Sequence, residues 1–444
     1  MTDTPAVPLP RHSIARLALM GLAGTSIEWY DFFLYGIGAA LVFPALYFPK
    51  SLPPAIALLA SYSTFAVGFL ARPVGALVFG HFGDRLGRKT TLAAALVLMG
   101  LATTLIACLP SYAVIGPLAP ALLVVLRFAQ GLAIGGQWGG AMLMVVENAP
   151  AHRRGFYGSF VQAGAPTGVV LANLAFLAVS ALTTDQEFLT WAWRLPFFLS
   201  ILLVGLGLYV HFRIEDTVAY RALERDRPAA AKPTRSPILE VLREQPRIIL
   251  LAAGSFIATN VIFYILIAWS VSYATSADGL GVSRTLILTA VLIGSGIMSP
   301  ALLLFGALSD RFGRRRIYMA GAALSALFAF AIFPLLATRT LLGMSIAVGG
   351  ALGLTGMMYG PQAALFGELF STRVRYSGAS LGYQLGAIFG GGFAPLIATS
   401  VYAKFHSTLG IAVYLALASL VSLVSVACLA ETSSVNLHGN TRTS

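Results

Sequence analysis

The chain has 444 residues, 57% of them hydrophobic and only 10% charged, with a formal net charge of +12. Soluble domains average about 25% charged residues, so a water-facing surface cannot be built from this composition. The apolar residues come in runs of roughly 18 to 25, the length that crosses a bilayer core of about 30 Å, and their recurrence along the whole chain excludes a lone signal peptide.

In chain order the apolar spans fall at 14–43, 56–79, 92–110, 118–146, 156–182 and 192–212, and after a polar stretch at 247–274, 284–308, 317–337, 341–366, 376–402 and 408–430. Runs this long without period-2 alternation are helices, not barrel strands. The expected fold is an all-α membrane protein of 12 transmembrane helices. Its parts are a cytoplasmic tail 1–13, a six-helix bundle 14–212, a cytoplasmic linker 213–246, a second six-helix bundle 247–430 and a tail 431–444. Lys and Arg set the orientation. With the N-terminus inside, the outer loops carry only Lys50, Arg194, Arg284, Arg339 and Lys404, while Arg85, Arg88, Lys89, Arg153, Arg154, Arg311, Arg314, Arg315, Arg316, Arg373 and Arg375 stay inside. Both termini are therefore expected in the cytoplasm. No basic run carries interleaved aromatics, which excludes a nucleic-acid partner. Cys108 and Cys428 fall inside apolar spans and read as small buried hydrophobes, not a disulfide or metal pair, and the six histidines have no ligand spacing.

The chain repeats itself. Gly80, Asp84, Arg85, Gly87, Arg88 and Lys89 follow the second span as Gly306, Asp310, Arg311, Gly313, Arg314 and Arg315 follow the eighth. Gly135, Trp138, Gly139, Glu147 and Arg154 are answered by Gly356, Tyr359, Gly360, Glu368 and Arg375. An even number of spans per half makes these parallel repeats about an axis along the membrane normal, able to rock against each other around a midplane site. In the repeated G-x-x-x-D-R-x-G-R-K/R segment the glycines permit a tight turn and the arginines hold it in the cytoplasm. Asp84 and Asp310 pair with a basic side chain or the positive end of a helix, a contact that closes one conformation and breaks in another. A purely topogenic basic turn is the other reading. Glu147 and Glu368, at the ends of the fourth and tenth spans, belong with the same arginines.

Charges inside spans are the functional candidates, since each costs roughly 3 kcal/mol unless paired or wetted. Glu28 and Asp31, spaced i, i+3 on the first span, share a face with Tyr35. A change of partner between two states would load and release a proton; a permanent ion pair is the alternative. Arg72 lies within two turns of the inner end of the second span and Arg127 toward the outer part of the fourth. Either guanidinium suits a carboxylate substrate, or neutralises Glu28, Asp31 or Glu147. Pro73 favours a bend beside Arg72. Gln137, Trp138, Gln162, Tyr359 and Gln384, with Tyr264 and Tyr383, line a cavity or bond between helices.

The repeated segment resembles the loop signature of the major facilitator superfamily, and Arg127-Phe-Ala-Gln130-Gly131 resembles that superfamily's R-x-x-Q-G motif. Three stretches, Gly24 to Gly36, Phe65 to Gly75 and Tyr376 to Gln384, are similar to the bacterial metabolite:proton symporter family over nearly the whole chain. Thr184 to Pro196 looks most like its shikimate-type members. The resemblance implies proton-driven uptake, across the bacterial inner membrane, of an organic acid such as shikimate, 2-oxoglutarate or citrate, or of a zwitterion such as proline or betaine. Members usually carry an acid where this chain has Gln137, which cannot titrate, so uniport or coupling through Glu28 and Asp31 alone stays open. Gly164-Ala-Pro166-Thr-Gly168 faintly resembles the Gly/Pro motif of drug–proton antiporters, leaving efflux of drugs or aromatic compounds as an alternative. No nucleophile set, metal cluster or phosphate-cradling loop is present, so an enzyme or ATP-driven pump is not expected. The expected partners are a small solute, protons and lipid, with no cofactor and a monomer sufficient for function.

Overall fold

Lipid offers no hydrogen bonds, so a backbone crossing it must satisfy its own, and long apolar runs accordingly wind into helices. The computed structural model describes residues 11–86, 88–135, 138–214, 237–371, 374–435 and 437. The long helices are α1 (Arg11–Leu41), α2 (Pro54–Leu86), α3 (Arg88–Cys108), α4 (Leu118–Gly135), α5 (Trp138–Asn148), α6 (Arg154–Leu182) and α7 (Leu195–Ile214). They continue as α8 (Pro246–Thr275), α9 (Arg284–Phe312), α10 (Arg314–Ala337), α11 (Leu341–Leu369), α12 (Arg375–Phe405) and α13 (Leu409–Ala427). Nine of them, among the described residues, are long and apolar enough to cross a membrane. α1, which carries the buried Glu28 and Asp31, is not among the nine. Leu202, Leu250, Leu327 and Leu342 point outward and are more than half exposed, a surface suited to lipid rather than water; Cys108 and Cys428 are exposed as well, at the ends of α3 and α13, and not buried as expected.

Side-chain caps set several starts. Thr340 accepts from the Gly343 amide and Ser283 from the Leu286 amide, and Thr184 with Glu187 forms a capping box on the short helix Asp185–Thr190. The sequence span 118–146 takes in both α4 and α5, and residues 136–137 between them lie outside the described residues. In the second repeated segment, the expected loop is mostly helix. α9 runs through Asp310 and Arg311 to Phe312, only Gly313 leaves the helical region, with φ 95°, and α10 restarts at Arg314. Gly306 serves contact rather than turning: a methyl there would fall 2.8 Å from the Ser159 side chain of α6. α2 likewise runs on to Leu86. Arg72 thus sits about two turns before the end of the apolar span at Phe79, as read from the sequence, and about four turns before Leu86.

Packing echoes the repeat. α1 lies along α6 and α2 on α4; α8 lies along α12 and α9 on α11. The two sets meet where α6 packs on α9 and α11 and where α2 packs on α12. At the α2–α4 crossing the backbones touch: a methyl on Gly131 would meet the Gly68 carbonyl and stand 2.7 Å from Ala71 Cβ, and one on Gly135 would meet the Arg72 carbonyl. Small residues allow such approach in lipid, where dispersion rather than water drives helices together. Gly164 and Gly168 are used in the same way against Thr25 and Trp29 of α1, so packing accounts for the motif around Pro166.

Substituting Gly131→Ala should lower stability in detergent by about 1–3 kcal/mol through overpacking. Gly205→Ala, where nothing lies within 4 Å of the added methyl, should not. Equal melting temperatures for the two variants would show that α2 and α4 are not in backbone contact.

Candidate functional site

Two buried guanidiniums organise the centre. Arg72 on α2 is 1% exposed, with its Cζ 4.5 Å from the ring centre of Phe32, 4.3 Å from Phe69 and 5.4 Å from Trp29. Arg127 on α4 is fully buried, with its Cζ 4.0 Å from Phe32, 4.2 Å from Tyr35 and 4.6 Å from Phe65. Phe32 therefore serves both cations, whose attraction to ring faces strengthens once water is excluded. Arg127 also donates to Gln130 Oε1 at 3.1 Å, and Gln130 in turn donates to Thr103. Among the described residues, Nε and Nη2 of Arg72 and Nη2 of Arg127 have no hydrogen-bond partner.

The carboxylates face different ways from α1. Glu28 has Arg72 and Asp31 as charged neighbours, while Asp31, 1% exposed, lies beside Ser200 of α7. Tyr35 completes the line, donating to Thr64 at 2.6 Å beneath Arg127. From the other helix set, Tyr264 of α8 reaches Arg72, and Tyr359 of α11 hydrogen-bonds Tyr383 of α12. π-helical turns follow Tyr264 at Ile265–Trp269 and interrupt α12 at Ile388–Gly392. In the second, Gly391 faces both Phe69 and Tyr264, so its lack of a side chain lets α2 and α8 converge on Arg72.

A cavity of about 20 Å³ lies where the helix sets meet, with Trp29, Asn260, Tyr264, Tyr359 and Tyr383 in its walls. It has room for a single water. Of the other sequence candidates, Gln162 on α6 and Gln384 on α12 are buried. Gln137 and Gly87 lie outside the described residues, as do the side chains of Asp84, Arg85, Arg88 and Trp138; Gly80 is helical within α2. The sequence reading passed over Thr259 and Asn260 in the cavity wall. A polar pair in an otherwise apolar stretch of α8 was the available signal.

A charged cluster closes one end. Asp310 accepts from the backbone amides of Gly155 at 2.8 Å and Phe156 at 2.9 Å, capping the positive end of α6, and pairs with Arg314. Arg314 and Arg154 converge on Glu368 at 3.4 and 3.8 Å, and Arg375 bonds Glu147 at 2.9 Å. Arg311 is exposed and stacks on Phe312. Residues after α13 join in: Glu431 accepts from the amides of Arg314 and Arg315, Thr432 donates to Glu368, and Arg154 donates to the Val435 carbonyl. Burial pushes the Glu431 carboxyl up, but the amides of Arg314, Ser433 and Arg315 outweigh it and hold it below the ordinary carboxylate range. The opposite end is closed by Tyr62, bonded to the Ala268 carbonyl and to Ser272, and by Arg284, paired with Asp185 and 3.8 Å from the Phe188 ring centre.

Known proteins agree with this architecture. Residues 17–238 match the family described as Sugar (and other) transporter, and residues 270–440 match the Major Facilitator Superfamily. The chain is 42% identical to the inner membrane metabolite transport protein YhjE of Escherichia coli K12, over 95% of this chain and 94% of that one. It is 40% identical to the shikimate transporter of the same strain, over 92% and 93%. Identity to the proline/betaine transporter of Salmonella typhimurium is 33%, over 94% and 84%. The xylose transporter XylE of E. coli, in a partially occluded inward open conformation, superposes with a TM-score of 0.74 at 17% identity, over 96% of this chain and 99% of that one, a likeness of fold. A multi-pass helical chain with transporters, not enzymes, as its relatives belongs to the major facilitator superfamily, among that superfamily's metabolite transporters.

Proposed function

We propose that the protein is a secondary active transporter that imports a small organic acid or zwitterion together with protons by alternating access. The carrying observation is the buried set Glu28, Asp31, Arg72 and Arg127 beside a cavity at the meeting of two helix sets that are sealed at both ends. A guanidinium with unused donors is a ready partner for a solute carboxylate. The names of the relatives, shikimate transporter and proline/betaine transporter, carry the same chemistry.

In this reading the chain crosses the bilayer 12 times, in bundles 14–212 and 247–430 with both termini cytoplasmic. The Asp310 end is then the cytoplasmic gate. Opening it breaks the Asp310 cap on α6 and strips Arg154 from Glu368. Glu28 and Asp31 carry the protons. When Arg72 turns to a solute carboxylate, Glu28 loses part of its counter-charge and binds a proton more tightly, so solute and proton load together. Gln137 takes no proton, which leaves coupling to α1.

Asp31→Asn should abolish uphill uptake while preserving counterflow, because the solute path remains but the proton carrier is gone; undiminished uphill uptake would remove Asp31 from the mechanism. At the gate, Glu368→Gln leaves Arg154 without its carboxylate and Arg314 with Asp310 alone, a loss of about 3–5 kcal/mol for a broken buried pair. In a background lacking Cys108 and Cys428, a Ser159→Cys probe beneath Gly306 should then react faster with an impermeant thiol reagent from the cytoplasmic side. An unchanged rate would exclude Glu368 from the gate.

A further inference from the structure

Past its last apolar helix the chain turns back over the charged cluster. α10 opens at Arg314 directly after Gly313, and a glycine offers no side-chain cap. Glu431 supplies one from 117 residues away, accepting from the Arg314 amide at 2.9 Å and, with its other oxygen, from the Arg315 amide at 3.1 Å. The approach depends on residue 313 having no side chain, since a Cβ there would stand 2.6 Å from Glu431 Oε2. Asp310 caps α6 in the same two-pronged way. Two helices at this end therefore begin on a carboxylate brought from a distant segment.

Distances decide what the segment does to the gate. Arg154 stands 3.8 Å from Glu368 but donates to the Val435 carbonyl at 2.7 Å. Glu368 is 3.4 Å from Arg314 but accepts from the Thr432 hydroxyl at 2.8 Å. Among the described residues, each of these buried side chains makes its shorter contact with the segment, not with its ion-pair partner. Arg375, which holds Glu147 at 2.9 Å, also donates to the Leu437 carbonyl at 3.4 Å, and Leu437 itself is buried. Carbonyls and a hydroxyl satisfy buried ions without bringing a further charge that needs its own partner. When the segment lifts, Arg154 and Glu368 lose their nearest partners, and water replaces those partners most readily with that end open.

Resting on the proposed gate at the Asp310 end, we infer that residues 431–437 are a strap that holds this gate shut from outside the helix bundle. The strap biases the balance between the two opened forms, and opening at the Asp310 end includes its release from Arg154 and Glu368.

In the background lacking Cys108 and Cys428, one probe is placed at a time: Ser159→Cys beneath Gly306 at the strapped end, or Ser272→Cys beside Tyr62 at the other. Reaction with an impermeant thiol reagent is timed in inverted vesicles for the first and in spheroplasts for the second. Removing residues 431–444 should speed the first and slow the second by about fivefold each, because one population grows at the expense of the other. Thr432→Val, which deletes only the hydroxyl on Glu368, should move both rates in the same directions by about twofold. A faster reaction of the Ser159→Cys probe with the other unchanged would mean that the segment merely covers the probe, and would overturn the inference; so would no change in either rate. Should the shortened chain fail to run as a monodisperse peak in detergent, the two Thr432→Val rates decide alone. Glu368→Gln in the same assay separates the two readings. If it shifts both probes while the strap variants shift neither, only the strap falls; if none of the variants shifts a probe, the gate falls with it.

Discussion

The rest of the structure answers to one constraint: two arginines sit in the middle of helices that face lipid. A guanidinium cannot shed its charge, and at the centre of a bilayer it costs about 2.5–3.5 kcal/mol or more. The chain meets the cost with ring faces rather than water. Phe32 stands between Arg72 and Arg127, with Phe69 and Trp29 closing on one and Tyr35 and Phe65 on the other. Those rings come from α1 and α2, so the solvation of the cations is also what binds the first helices to each other. It remains incomplete, because donor nitrogens on both arginines are unused. These unused donors are what supports the proposal of an anionic solute.

The second organising element is at the Asp310 end. Asp310 belongs to the helix set that follows the linker, yet it caps α6 of the preceding set. Glu368 draws Arg154 from one set and Arg314 from the other. These contacts are buried and charged, so they hold well when made and are lost together when the helix sets part. Glu431 and Thr432 extend the cluster into the chain beyond α13. Among the described residues, the opposite end joins a buried contact, Tyr62 with Ala268 and Ser272, to an ion pair whose Asp185 is exposed.

Much of this was legible in the sequence, and for a physical reason. Lipid demands unbroken apolar helices, so helix bounds follow from hydropathy to within a few residues. The repeat, read from Gly306 to Arg315 and from Gly135 to Arg154, matches the recurring helix pairs. That Glu147, Asp310 and Glu368 would pair with the arginines near the span ends was legible because charges there stand out. What could not be read were contacts between distant segments. Nothing local says that Asp310 meets the amides of Gly155 and Phe156, or that Phe32 solvates two arginines at once. The turn motif was misjudged because its glycines were assigned to turning, when Gly306 serves close approach and only Gly313 bends the chain. Thr259 and Asn260 were passed over because uncharged polar residues rarely stand out in a hydropathy reading.

The central claim is that two helix sets rock about the buried charges, opening one end only when the other is closed. Distances between spin labels placed across the Arg284 end and across the Asp310 end, measured on the same preparation with pH and solute varied, test it most directly. The account predicts reciprocal changes, one distance lengthening in the population where the other shortens. Both distances moving together, or neither responding to pH or solute, would contradict it.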